Sequence, residues 1–288
     1  MTINLSGAHD GAPPNPPPAQ ALTINGIADG NDAIAPGDYF LLDLDGTLLR
    51  GGQATEGAQS FLRAVKGRFA LVSNNSRDTG RSLNAKLRKL GFDIPPGCFV
   101  LAGEEAIGFV AREYPGARCL VAASPALRHC ARRHGLLPVS ENADVIVLGR
   151  DIHWSYAKLA LLANEARRGA VLVAVNPDLT HPGSDGSIVP ETGSLLAAVE
   201  AAAGISAAHV VGKPAALLFL AALERLGASR SDTIVIGDNP LTDRAGARAL
   251  GLRSLIVNAD RQGGHPNLVD LCKRLAPNSI ALERKDLE

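Results

Sequence analysis

The chain has no surplus of either charge: Lys plus Arg and Asp plus Glu both number 29. A dedicated nucleic-acid binder needs a basic excess, so this balance argues against one. No apolar run approaches the roughly 18–20 residues of a membrane span, so no membrane partner is expected. Cysteine is sparse. Cys98, Cys119, Cys130 and Cys272 form no C-x-x-C pair and have no His at zinc spacing beside them. A disulfide framework is therefore not expected, and four thiols suit a reducing cytoplasm. The chain also lacks the basic start and apolar stretch of a secretory signal. No short-period repeat is present, which argues against solenoids and propellers.

What remains is globular in texture. The 288 residues are 46% hydrophobic and 20% charged, enough to bury a core in one large or two modest domains. Residues 1–37 stand apart, because the run Gly11-Ala12-Pro13-Pro14-Asn15-Pro16-Pro17-Pro18 favours polyproline II. That stretch reads as a flexible tail. From Tyr39 onward, short apolar runs alternate with amphipathic stretches. Strands are predicted at 39–44, 69–73, 118–122, 145–148, 171–175, 233–236 and 253–257. These runs are continuously apolar, as in parallel strands buried on both faces. Between them, Leu83, Leu87 and Leu90, and then Leu159, Leu162, Ala163 and Ala166, recur at helical spacing. Strand–helix alternation of this kind predicts an α/β fold with a parallel sheet. Ligands of such sheets bind beyond the carboxyl ends of the strands.

Four clusters fall at those ends. The first, Asp43-Leu44-Asp45-Gly46-Thr47, puts two carboxylates on one face. Their mutual repulsion would be relieved by a divalent cation. The second, Ser73-Asn74-Asn75-Ser76, offers hydroxyl and amide groups near a helix start at Thr79, suited to an anion or to a helix cap. The third, Gly212-Lys213-Pro214, sets one ammonium before a helix predicted at 215–226, with Pro214 in its first turn. The fourth, Gly237-Asp238-Asn239-Pro240-Leu241-Thr242-Asp243, again places carboxylates after a buried strand, and Asp243 reads as a helix cap. Carboxylates, one lysine and a hydroxyl–amide pair at one sheet edge compose a site for magnesium-assisted phosphoryl transfer.

In this order the four clusters resemble those of the haloacid dehalogenase superfamily of phosphatases. The spacing from Asp238 to Asp243 resembles the NagD-like branch, which carries a large C2-type α/β cap. So do Asn176-Pro177-Asp178, His181-Pro182, Thr192-Gly193-Ser194 and Gly149-Arg150-Asp151. Within the branch, Ser73 to Arg77 and the loop 181–187 look closest to pyridoxal phosphate and phosphoglycolate phosphatases. The resemblance implies a Rossmann-like core at 38–113 and 208–288, with a cap inserted at 114–207. It implies Asp43 as nucleophile and Asp45 as acid and then base. Mg²⁺ would be held by Asp43, the carbonyl of Asp45 and Asp238. Ser73, Asn74 and Lys213 would hold the phosphoryl oxygens, and Asp243 would orient Lys213 or a metal-bound water. His181, in a cap loop reaching over the site, would contact the leaving group or else face solvent. Trp154 and Tyr156 read as cap packing, and His129, His134 and His265 as surface residues.

The implied activity is Mg²⁺-dependent hydrolysis of a small phosphorylated metabolite through an aspartyl-phosphate. Two other readings stand beside it: phosphoryl transfer to a sugar hydroxyl at the same site, and a catalytically silent homodimer formed through the cap.

Overall fold

The computed structural model describes residues 34–183, 186–257 and 265–275. The Pro-rich stretch falls outside them, as do Ser184 and Asp185 of the cap loop. The first sheet opens with β1 (Tyr39–Leu42), followed by a small hairpin of β2 (Leu49–Arg50) and β3 (Gln53–Ala54). Helix α1 (Ala58–Ala64), β4 (Phe69–Ser73), α2 (Gly80–Lys89), β5 (Phe99–Leu101) and α3 (Ala102–Glu113) follow. The chain then builds a second sheet. Its elements are β6 (Arg118–Ala122), α4 (Pro125–Arg133), β7 (Leu137–Pro138), β8 (Val145–Leu148), α5 (Tyr156–Arg167) and β9 (Val171–Ala174). A hairpin of β10 (Thr180–Pro182) and β11 (Ile188–Pro190) leads to α6 (Thr192–Ala203) and β12 (His209–Val210). The chain returns to the first sheet through α7 (Ala216–Leu226), β13 (Thr233–Gly237), α8 (Ala245–Ala249), β14 (Arg253–Ile256) and α9 (Leu268–Leu275).

Both large sheets are wholly parallel. The first runs β14-β13-β1-β4-β5 and the second β12-β9-β8-β6-β7. The predicted strands stand within one or two residues of their observed ends, because two-sided burial demands the unbroken apolar runs that gave them away. Phe40 to Leu42, Val145 to Leu148 and Ile234 to Ile236 are almost wholly inaccessible. The shorter strands β5, β7, β10, β11 and β12 carry too few residues to register as runs. In the first sheet the chain moves outward from β1 to β4 and β5, then resumes on the other side of β1 with β13. The strand order therefore reverses between β1 and β13, whose register pairs Leu42 with Ile236. A crevice opens at such a reversal, and Asp43 and Asp238 stand on either side of it.

One hydrophobic cluster spans both sheets. It includes Leu41 and Val72 of the first, Val121, Val147 and Val173 of the second, and Ala106, Ile107 and Val110 of α3. The cap is thereby seated on the core by apolar packing.

Local signals fix the helix ends. Thr79 caps α2 in a reciprocal box with Ser82, so the helix cap lies beyond Ser73-Asn74-Asn75-Ser76 and leaves that cluster outside the helix. Three readings from sequence need correction. Pro214 precedes α7 by two residues, outside its first turn, and its bond to Lys213 is cis. Trp154 packs on the cap core, but Tyr156 is 87% exposed. His129 and His134 are exposed as expected, whereas His265 is partly buried.

Leu41 lies at the centre of β1, fully buried. Leu41→Ala should destabilise the protein by about 2–5 kcal/mol in chemical denaturation. A loss under about 1 kcal/mol would contradict the packing described.

Candidate active site

The main chain of Asp43 still belongs to the sheet, since its N–H donates to Ile236 O at 2.8 Å. Its side chain is buried, 7% exposed. Oδ1 accepts from Lys213 Nζ at 2.6 Å, while Oδ2 is buried with no hydrogen-bond partner. The Lys213 ammonium is itself buried and also donates to Asp243 Oδ1 at 2.7 Å. Asp243 Oδ2 accepts from the Asn239 N–H at 3.2 Å. Asp243 is thus not the helix cap expected from sequence. It lies in a wide helical turn, Pro240–Arg244, which Asn239 caps through Leu241 N–H. Asp243 faces inward, where Lys213 needs a second anion.

Two glycines make this convergence sterically feasible. Gly46 has φ +93°, and a Cβ there would lie 2.0 Å from Asp238 Oδ2. A Cβ on Gly237 would lie 2.2 Å from Asp243 Cγ. The first and fourth clusters therefore touch through backbone that only glycine leaves bare. One carboxylate oxygen from each of Asp43, Asp238 and Asp243 falls within 4.8 Å of the other two.

The charges do not balance. Asp43, Asp45, Asp238 and Asp243 crowd around the Lys213 ammonium, with Arg50 also acting on Asp238. Burial pushes Asp43 up to about 8; Lys213 pulls it down, but Asp243 and Asp238 push the same way as burial. Burial is also the main reason that Asp45 and Asp238 are raised. For Lys213 burial alone would favour the neutral amine, but Asp243 and Asp43 outweigh it and hold the lysine above its ordinary value. A carboxylate cluster short of positive charge, with an orphaned buried oxygen on Asp43, fits an oxygen-liganded divalent cation.

Asp45 is exposed to solvent. The charged groups acting on it include Lys213, the cap residues His181 and Glu191, and Asp78. His181 sits on β10, with Nδ1 2.8 Å from Glu191 Oε1. Ser73 is buried, and its Oγ accepts from the Asn75 N–H at 3.2 Å. The Asn74 carboxamide is heavily engaged. Its Oδ1 accepts from Lys213 N–H at 2.7 Å, and its Nδ2 donates to Lys213 O at 3.0 Å and to both oxygens of Asp178. What the Asn74 side chain does here is clamp the main chain of Lys213.

Sequence reasoning assigned no role to four residues that shape this site. Asn176 donates to Asn74 O at 2.6 Å and accepts from Asp178 N–H. With Asp178 it buttresses the Asn74 clamp from the cap. Their position just after a buried strand was the available signal. Arg150 lies in the Gly149-Arg150-Asp151 stretch that carries the family resemblance, but nothing local pairs it with Glu191, 3.0 Å away: a glutamate before a helix is commonplace.

Two models of haloacid dehalogenase-like hydrolases match the chain, over residues 40–137 and 210–267. The dihydroxyacetone phosphatase of Corynebacterium glutamicum is 30% identical over 223 residues, 76% of this chain and 80% of that protein. The chain belongs to the haloacid dehalogenase-like hydrolases. Among solved structures, NagD of E. coli matches with TM-score 0.72 and 27% identity, covering 80% of this chain and 92% of its own. A glycerol phosphate phosphatase of Mycobacterium tuberculosis, solved with magnesium, matches with TM-score 0.72 and 36% identity, covering 78% and 68%. Within the family, then, the chain is of the NagD-like branch.

The raised carboxyl of Asp43 has a consequence for metal-free protein. Its folded value of about 8 exceeds the ordinary 3.8, so the folded chain holds a proton that the unfolded chain releases. The stability from this group is complete below about pH 4 and is lost as pH rises toward 8. The melting temperature of EDTA-treated protein should fall by several degrees over that window. Asp43→Asn should flatten the fall, and Mg²⁺ should reduce it. An equally steep fall in Asp43→Asn would contradict the assignment.

Proposed function

We propose that this hydrolase is a Mg²⁺-dependent phosphatase that cleaves small phosphomonoesters through an aspartyl-phosphate on Asp43. The observation that carries this reading is the divided state of the Asp43 carboxylate. One oxygen is held by Lys213, and the other is buried without a partner at the strand end. The relatives support the phosphoester class, since they are named for the phosphates of dihydroxyacetone, glycerol and sugars.

In this account one oxygen of the Asp43 carboxylate attacks phosphorus as the ester P–O bond breaks, while the other is left to a metal ion. Asp45, whose carboxyl is raised by its surroundings, gives its proton to the departing alkoxide. Water then attacks the phosphoryl group and gives a proton to Asp45. The bond from phosphorus to Asp43 breaks, and inorganic phosphate leaves. Splitting one hard displacement in this way lowers each barrier. Asp43, the Asp45 carbonyl and Asp238 would hold Mg²⁺, which when bound offsets the repulsion between carboxylate and phosphate. Lys213 and Ser73 would face the phosphoryl oxygens, with Asp243 keeping Lys213 charged and aimed. Asn74 would contribute chiefly by fixing Lys213.

The residues between the second and third clusters, 114–207, would form the cap that chooses the leaving group, with β12 completing its sheet. His181 would face that group. A cytoplasmic setting suits the four thiols, of which Cys119 is pushed up to about 12 by burial and so is unreactive. The cap is also the face through which a homodimer would form.

The test is phosphate release from p-nitrophenyl phosphate with Mg²⁺ and no acceptor. Wild type should release phosphate, and Asp43→Asn should lower kcat by about a thousandfold or more. Residual activity within about tenfold of wild type would overturn Asp43 as nucleophile. Turnover only with an added sugar acceptor would favour phosphoryl transfer.

A further inference from the structure

Against the core loop that follows β4, the cap presents a compact polar group. Glu191, the residue before α6, has Oε1 3.0 Å from Arg150 Nη1 and 2.8 Å from His181 Nδ1. Its other oxygen lies 3.5 Å from the hydroxyl of Ser76, on the core loop that follows β4. The glutamate thus bridges two cap segments and the core. Arg150 and Glu191 are largely shielded, with side chains 15% and 14% exposed, while His181 is 39% exposed. Glu191 and His181 also act on the Asp45 carboxyl, which puts the group beside the acid that would protonate the leaving alcohol.

This arrangement bears on which alcohols can leave. The Arg150 guanidinium and the His181 ring already share one internal carboxylate. A leaving group with its own carboxylate would bring a second anion against Glu191 in a poorly solvated place, where like charges are costly. A leaving group with hydroxyls meets the opposite situation. Its O–H can donate to Glu191, and its oxygen can accept from an N–H of Arg150, whose fork carries five donors.

We propose that Glu191 is a specificity-determining residue that admits neutral, hydroxyl-bearing leaving groups and rejects those bearing a carboxylate. Glu191 serves here as built-in competition for Arg150 and His181, a repulsive element aimed at the wrong substrate. The inference rests on the phosphatase reading above and sharpens its substrate class to phosphorylated polyols and sugars.

The test compares D-glycerol 3-phosphate with D-3-phosphoglycerate, which differ in a terminal CH₂OH against a carboxylate. Wild type should favour the alcohol in kcat/KM by about tenfold or more, about 1.4 kcal/mol of discrimination. Glu191→Gln keeps the shape and removes the charge, and should narrow that ratio by about tenfold. In the Glu191→Gln background, Arg150→Met should remove the gain on the acidic substrate. A purely structural role would lower both substrates together and leave the ratio unchanged, which would overturn the proposal. Wild type turning over the acidic substrate equally well would also overturn it, and that result needs no variant to fold. Wild type releasing no phosphate from either substrate or from p-nitrophenyl phosphate would instead strike the phosphatase reading itself.

Discussion

A buried ammonium must have anions around it, and this requirement organises the site. Lys213 Nζ is almost sealed from solvent and reaches Asp43 at 2.6 Å and Asp243 at 2.7 Å. Removing one partner from such a buried pair typically costs about 3–5 kcal/mol, so the lysine ties together strand ends that are far apart in sequence. Its main chain is clamped as firmly as its head, by the carboxamide of Asn74. The clamp in turn leans on Asn176 and Asp178 from the second sheet. The position of one lysine therefore depends on both sheets.

The same lysine leaves the site electrically incomplete. Lys213, even with Arg50 acting on Asp238, does not neutralise Asp43, Asp45, Asp238 and Asp243, and three of the four carboxyls are raised chiefly by burial. Gly46 and Gly237 permit this crowding by leaving no side chain where the carboxylates of Asp238 and Asp243 lie. Folding energy from the surrounding apolar cluster holds the anions in place. A bound divalent cation would then find its ligands already gathered.

The sequence disclosed the core of this arrangement because parallel strands buried on both faces must be written as apolar runs, and the residues just past such runs are exposed to reading. Asp43 and Asp238 follow β1 and β13 in that way, and Ser73 ends β4. What stayed hidden was contact between distant segments. Read locally, Asp243 looks like a helix cap because an acid early in a helix usually is one; the family resemblance, not any local pattern, aimed it at Lys213, whose Nζ lies 2.7 Å away. The Asn74 side chain looked free for a ligand, yet three groups from other parts of the chain occupy it. Arg150, His181 and Glu191 lie on different elements, and no local pattern announces that they meet. Strands of two or three residues, such as β7 and β12, were beyond any periodicity argument.

The central claim is that this carboxylate cluster is built around one divalent ion. Calorimetric titration of Mg²⁺ into metal-free wild type and Asp238→Asn tests it most directly. The account predicts one saturable site per chain in wild type, weakened about tenfold or more in the variant. No saturable binding to wild type, or equal affinity in Asp238→Asn, would contradict it.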